Sequence, residues 1–236
     1  MARYDDALQA VQARIRDACA RAGRRPDEVT LLAVSKTFEA AAISAVHAAG
    51  QTAFGENYVQ EAAAKRTALA SLKGLHWVLI GPLQSNKAAL AAEVFDRVES
   101  VDRLKIAQRL SMARGAALRP LEVLVQANIS EEASKSGVAV GEAVALARAV
   151  SGLPRLAFRG FMGIAQPGID SSAQFTQFSR LRACRDEARA QGLAADILSM
   201  GMSDDLEAAI AAGSTQVRVG SALFGTRAPR SAPDAT

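Results

Sequence analysis

Lys36 is the residue of this chain best placed to do covalent chemistry. It closes the apolar run Leu31-Leu32-Ala33-Val34-Ser35, and an ammonium group is costly to hold beside a core. Burial disfavours the charged form, so a partly desolvated lysine spends part of its time as the free amine that attacks a carbonyl carbon. Two other segments carry complementary chemistry: Ser199-Met200-Gly201-Met202-Ser203-Asp204-Asp205, and Arg218-Val219-Gly220-Ser221. Glycines let the backbone approach a ligand closely, and hydroxyls with backbone N–H groups are the usual partners of a phosphate. Each feature has a plainer reading. Lys36 also reads as an exposed lysine at a strand end, and Ser203 as a helix N-cap with acids in the first turn. The N-cap does not account for Gly201 or for Gly220-Ser221.

These residues need a scaffold that brings distant segments together. Strand-like runs occur at Thr30–Ser35, Thr52–Gly55, Trp77–Gly81, Arg97–Val101, Leu121–Asn128, Leu156–Gly160, Asp196–Ser199 and Gln216–Gly220. Helix-like runs separate them, around Glu39–Ala49, Tyr58–Ser71, Asn86–Glu93, Arg103–Ala113, Gly141–Ser151, Ser172–Gln191 and Ser203–Ala211. Near-continuous Val, Leu and Ile in the strands is what a parallel sheet buried on both faces requires. Eight βα units without a domain-sized linker predict an α/β fold, a single (β/α)8 barrel of the TIM type. An open doubly wound sheet is the runner-up. It ordinarily carries a G-x-G-x-x-G turn after its first strand, where this chain has Ser35-Lys36-Thr37-Phe38. Ahead of the first strand, Leu8, Val11, Ile15 and Cys19 recur at helical spacing, which predicts an additional N-terminal helix over Tyr4–Ala22. The barrel is expected over residues 1–226, and 227–236, rich in Pro, Ala and Ser, is expected to be a disordered tail.

Composition narrows the function. The chain has 236 residues, half of them apolar, and a net charge of +4 that is spread out and forms no stripe. Nucleic-acid binding therefore starts from a low expectation. Cys19 and Cys184 match no metal spacing and read as reduced thiols. Asp5, Asp6 and Asp17 interrupt the first twenty residues, so neither a signal peptide nor a membrane span is expected, and the protein is placed in the cytoplasm.

In a barrel the chemistry sits at the C-terminal ends of the strands, with phosphate commonly held after the seventh and eighth. Lys36 at the first strand, opposite hydroxyl- and glycine-bearing loops at the last two, suggests a phosphorylated aldehyde held as a Schiff base. Pyridoxal 5′-phosphate is the common candidate. At this point whole motifs can be compared. Ala33-Val34-Ser35-Lys36-Thr37, Phe54-Gly55-Glu56-Asn57-Tyr58, Ile80-Gly81-Pro82-Leu83-Gln84-Ser85-Asn86-Lys87 and Ser134-Lys135-Ser136-Gly137 resemble the pyridoxal phosphate homeostasis proteins. So do Ser199 to Asp205, Val217 to Ser221 and Phe224-Gly225, all in the same order. The resemblance implies a barrel like the N-terminal domain of alanine racemases, with the cofactor carried on Lys36. It further implies that Asn57 lines the cofactor, that Ser203, Gly220 and Ser221 hold its phosphate, and that Arg218 faces the pyridine nitrogen. Ser199 and Met200 are counted among the cofactor-binding positions. Two departures stand out. Val78 occupies a position where many relatives carry His, and Gly163 replaces a bulkier residue, which is expected to open the mouth.

Arg218 bears on what such a site does. A permanent cation beside the ring nitrogen disfavours its protonation and weakens the ring as an electron sink. Racemases of this fold tolerate the arrangement because a second base, a tyrosine from another domain and subunit, works on the opposite face. This chain has Tyr4 and Tyr58 alone, and 16 residues follow Gly220, too few for that second domain. Tyr58 reads as packing at a helix start, and His47 and His76 as structural or solvated. The expectation is a monomeric holder of pyridoxal phosphate that serves its storage and delivery, with apo-forms of pyridoxal phosphate-dependent enzymes as recipients. An amino-acid racemase is the alternative. Lys87 and Lys135 read as solvated loop lysines, or as residues that receive or pass on the cofactor.

Overall fold

The computed structural model describes residues 2–132 and 135–225. The expected tail, 227–236, and Ser134 lie outside the described residues. Eight parallel strands form the barrel: β1 (Thr30–Val34), β2 (Ala53–Glu56), β3 (His76–Leu79), β4 (Arg97–Val101), β5 (Leu121–Asn128), β6 (Leu156–Gly163), β7 (Ile197–Ser199) and β8 (Gln216–Val219). Their order is β4-β3-β2-β1-β8-β7-β6-β5, and β5 pairs back onto β4, which closes the sheet. A two-residue strand, Val138–Ala139, adds to β5 outside this ring. Closure satisfies every strand edge, and the residues that face inward fill the interior.

Helices cover the outside: α1 (Ala2–Arg21), α2 (Ala40–Ala48), α3 (Val59–Ala68), α4 (Ala88–Val94), α5 (Leu104–Ala113), α6 (Ala143–Ser151), α7 (Ser171–Ala190) and α8 (Leu206–Ala211). A short α9 (Ser221–Phe224) follows β8, where the sequence shows no clear helical run. The N-terminal helix earns its place through Val11, Ile15, Ala18 and Cys19. They pack with Val29, Leu206, Ile210, Val217 and Val219 over the outer face of β8. Burial pushes the Cys184 thiol up to about 11, and Cys19 is raised for the same reason, consistent with inert, reduced cysteines. Among the described residues, no helix is long and apolar enough to cross a membrane.

The eight expected strands and eight expected helices are all present, with two corrections of boundary. The sixth strand runs on to Gly163 because Arg159 is an extra residue, a bulge between the pairs Val123–Phe158 and Leu124–Gly160. Gly160 sits at φ +143, and a Cβ there would run into the carbonyl of Ile197 on β7. The bulge hides the strand's continuation from a simple alternation. The helix expected from Ser203 starts at Leu206 instead, for a reason that belongs to the site below.

Gly160→Ala is expected to lower stability by about 2–4 kcal/mol, since it combines backbone strain with a clash against a paired strand. Gly141→Ala, with open space around it, should be nearly neutral. Urea midpoints of the two variants at unchanged m-value provide the check.

Candidate active site

Six of the eight sequence-derived site residues line one cavity of about 250 Å³ at the C-terminal end of the barrel: Lys36, Asn57, Ser203, Arg218, Gly220 and Ser221. Val34, Ile80, Met162, Ile164, Met202 and Asp204 complete the wall. Ser199 and Met200 are not in it. Both are fully buried, because the strand direction sends Ser199 beneath Arg218 and Met200 into the core.

Arg218 comes from β8 and is buried at the cavity floor. One guanidinium nitrogen donates to the Ser199 carbonyl at 2.6 Å and the Ser199 hydroxyl at 2.9 Å, and the other donates to the Gly163 carbonyl at 3.0 Å. Burial pulls Arg218 below the ordinary arginine value, opposed by the charges of Glu99 and Asp205; a guanidinium stays charged across the accessible pH range. Glu99 accepts from the Ser199 hydroxyl at 2.5 Å and from the Gln216 amide at 2.7 Å. Arg97 donates to Gln216 at 2.5 Å and lies 3.0 Å from the Glu99 carboxylate. A polar column thus runs through the barrel from Arg97, at the start of β4, up to Arg218. Neither Glu99 nor Gln216 was recognised from the sequence. The available signal was spacing: Arg97 and Glu99, like Gln216 and Arg218, are two apart on a strand and so share a face.

The first strand's contribution is held from outside the barrel. Lys65, on α3, donates to the Ser35 carbonyl at 2.8 Å, to Glu56 at 2.7 Å and to Glu61 at 2.7 Å. The Ser35 hydroxyl donates to Glu56 at 2.6 Å, and the Thr37 amide donates to Glu61 at 2.5 Å. Glu56 is fully buried, and desolvation raises its carboxyl while Lys65 pulls the other way. Phe38 stacks on Phe224 with ring centroids 4.9 Å apart, which ties the Lys36 loop to the segment that carries Ser221.

The loop after β7 is shaped by its own acids and by a long-range arginine. The Asp205 carboxylate accepts from the Met202 amide at 2.6 Å. The Asp205 amide also donates back to the Met202 carbonyl at 3.3 Å, and the turn over residues 202–205 closed by these two bonds leaves Asp205, not Ser203, at the N-cap position of α8. Gly201, at φ +97, turns the chain where a Cβ would lie 2.6 Å from that of Ala209. Arg14 on α1 donates to the Ser203 carbonyl at 2.5 Å and forms a two-point pair with Glu207 at 2.7 and 2.6 Å. Nothing in the spacing of the sequence pairs residues almost two hundred apart.

Gly163 does not open the mouth. A Cβ there would meet the Ile129 side chain at 3.0 Å, so Ile129 already fills the space. Val78 is buried in β3. Tyr58 immediately precedes α3 and lines, with Lys87, a second pocket that shares Asn57 with the cavity; Lys87 donates to Gln60 at 3.2 Å. Lys135 lines a neighbouring pocket with Gln126 and Asn128, 3.7 Å from Glu132. His47 contacts the Gln51 carbonyl, and His76 lies at the opposite end of the barrel, at the start of β3.

Residues 7–228 match the family model described as the alanine racemase N-terminal domain. The pyridoxal phosphate homeostasis protein of Pseudomonas aeruginosa is 56% identical over 92% of this chain and 93% of its own length. The protein of the same name from Escherichia coli K12 is 50% identical over 93% and 95%. The chain belongs to the pyridoxal phosphate homeostasis protein family. Among solved structures, PipY of Synechococcus elongatus PCC7942 with PLP bound superposes with a TM-score of 0.78 at 39% identity, over 89% of this chain and all of PipY. An alanine racemase from Bacillus anthracis superposes at 0.68 with 17% identity, covering 94% of this chain and 56% of the racemase. The barrel is therefore shared with the racemases at the level of fold.

The Arg14–Glu207 pair carries a pH signature. The Arg14 hydrogen bond holds the Glu207 carboxyl below its usual value. Its contribution is complete above the unfolded glutamate pKa of about 4.3 and is lost as pH falls through the lower folded value. The stability gap between the wild type and Glu207→Gln is expected to be constant from pH 8 to about 5 and to shrink below about 4. Denaturant unfolding across that range tests it.

Proposed function

We propose that this protein binds pyridoxal 5′-phosphate, holds it covalently through Lys36, and keeps it available for delivery instead of turning it over. The observation that carries this reading is the convergence of an amine, two hydroxyls and a buried guanidinium on one cavity: Lys36, Ser203, Ser221 and Arg218. The donor set fits the group. Ser203 and Ser221, with the Gly220–Ser221 backbone, would take the phosphate; Asn57 would line the ring; Arg218 would stand at its nitrogen. When bound, pyridoxal phosphate supplies an aldehyde and an electron-accepting ring. Arg218, fixed by Ser199 and Gly163, disfavours a second positive charge at a neighbouring nitrogen. That would weaken the ring as an electron sink, so proton abstraction at carbon would depend on a second base opposite Lys36.

The relatives from Pseudomonas aeruginosa and Escherichia coli support the reading because they are named for homeostasis of the cofactor, and PipY, a separate relative, is solved with PLP bound. Tyr4 packs edge-on against Phe224 and Tyr58 faces the pocket beside Lys87, so neither tyrosine lines the cavity as a partner base to Lys36. We place the protein in the cytoplasm as a monomer, with apo-forms of pyridoxal phosphate-dependent enzymes as the recipients.

Borohydride reduction of the protein incubated with pyridoxal phosphate is expected to fix one label on the Lys36 peptide and to bleach a visible absorbance band. Lys36→Ala should lose both. A variant that keeps the same yield of label would move the attachment to Lys87 or Lys135. Steady racemisation of L-alanine at enzyme-like rates would overturn the holder reading.

A further inference from the structure

Lys36 is flanked by the most tightly held backbone of the site. The carbonyl before it, of Ser35, and the amide after it, of Thr37, are both bonded to one ion pair on α3: Lys65 takes the first at 2.8 Å and Glu61 the second at 2.5 Å. Lys65 and Glu61 are 2.7 Å apart, one helical turn from each other. Thr37 stands at φ +69, a left-handed conformation that is unfavourable for a β-branched residue and persists only where the surroundings enforce it. The Ser35–Lys36 and Lys36–Thr37 peptide planes flank the Lys36 Cα, so holding both fixes the direction in which its side chain leaves the backbone. If the turn relaxed to negative φ, the Lys36 stem would swing relative to the cavity wall. A sequence with Gly at 37 would reach this turn freely, so threonine makes the turn depend on the clamp.

We propose that Glu61, bridged through Lys65 to Ser35, is a positioning residue that aims Lys36 at the aldehyde carbon of the bound cofactor. The proposal rests on the reading that Lys36 carries pyridoxal phosphate. In the step it serves, the lysine ammonium would give one proton to solvent and its nitrogen would add to the aldehyde carbon. The carbonyl oxygen then leaves as water with the two remaining nitrogen-bound hydrogens, as the C=N bond forms. Glu61 touches none of the reacting atoms. Its effect is on approach geometry, where a displacement of about 1 Å can cost on the order of 100-fold.

The test separates capture from binding. Covalent capture is followed by visible absorbance and borohydride-trapped mass, and non-covalent affinity by calorimetry with pyridoxine 5′-phosphate, which has the phosphate and ring but no aldehyde. Glu61→Ala is expected to slow capture by about 10- to 100-fold while analogue affinity stays within about twofold. Glu61→Gln keeps an oxygen acceptor at the same reach and should return capture to near the wild-type rate. Glu61→Ala with Thr37→Gly should recover much of it, because glycine takes the left-handed turn unaided. Should Glu61→Ala fold poorly, Glu61→Asp retains the charge beside Lys65 but shortens the reach to the Thr37 amide, and it is expected to slow capture in the same selective way. Unchanged capture in Glu61→Ala or Glu61→Asp would overturn the proposal. So would a parallel loss of capture and analogue affinity, which marks a merely structural role. Failure of the wild-type protein to capture pyridoxal phosphate at all would sink the functional reading instead.

Discussion

A guanidinium buried inside a closed barrel has to be neutralised from within, and the interior of this protein is organised around that requirement. Arg218 is desolvated, and an isolated buried cation costs several kcal/mol or more. Its relief comes from two carbonyls, one hydroxyl and the field of Glu99. Glu99 needs partners in turn, and Ser199, Gln216 and Arg97 provide them. The polar column that results occupies interior positions that barrels ordinarily fill with branched apolar side chains. Each of β4, β7 and β8 contributes to it, so the column fixes how those strands sit relative to one another and hence where the loops after β7 and β8 emerge.

The architecture was legible in the sequence because parallel strands buried on both faces read as apolar runs, whatever their order in the ring. Leu121–Asn128 is the clearest case: the run and the strand coincide. Lys36, Asn57, Ser203, Arg218, Gly220 and Ser221 could be named because each lies at or just beyond a strand's C-terminal end, where side chains converge. Ser199 and Met200 also stand at the end of a strand, β7, but alternation sends Ser199 into the barrel, where Arg218 covers it, and Met200 to the other face, into the core, so neither lines the cavity. Gly163 failed for the opposite reason. A missing side chain leaves space only when no neighbour takes it, and Ile129 does.

What stayed hidden was long-range pairing. Arg14 and Glu207 are surface-like residues on two amphipathic helices, and only the docking of α1 against α8 brings them to the Ser203 carbonyl. Glu61 and Lys65 look like an ordinary helix-stabilising pair four residues apart. Their second role, holding Ser35 and Thr37, follows from α3 packing behind β1 and β2. In both cases an outer helix reaches over a strand end to fix a loop at the cavity rim, and the supporting residues carry no chemistry-like signature of their own.

The barrel is shared with the racemases as a fold, and a fold alone does not decide between retention and turnover. A lysine that forms a carbon–nitrogen double bond readily is useful for catalysis only if the attached ring can accept electrons and a base stands ready to move a proton. On the proposed reading Arg218 would oppose the first, and it is held in place because both of its terminal nitrogens donate to backbone carbonyls, of Ser199 on β7 and Gly163 on β6. The loops around Lys36 and Ser203 are equally constrained, one by Glu61 and Lys65, the other by Arg14 and Asp205. Rigid supports on every side favour a single, repeatable geometry at the cavity. On the proposed reading the cation in β8 would weaken the ring as an electron sink, and holding would differ from turnover because no tyrosine stands among the described cavity-lining residues as a second base opposite Lys36.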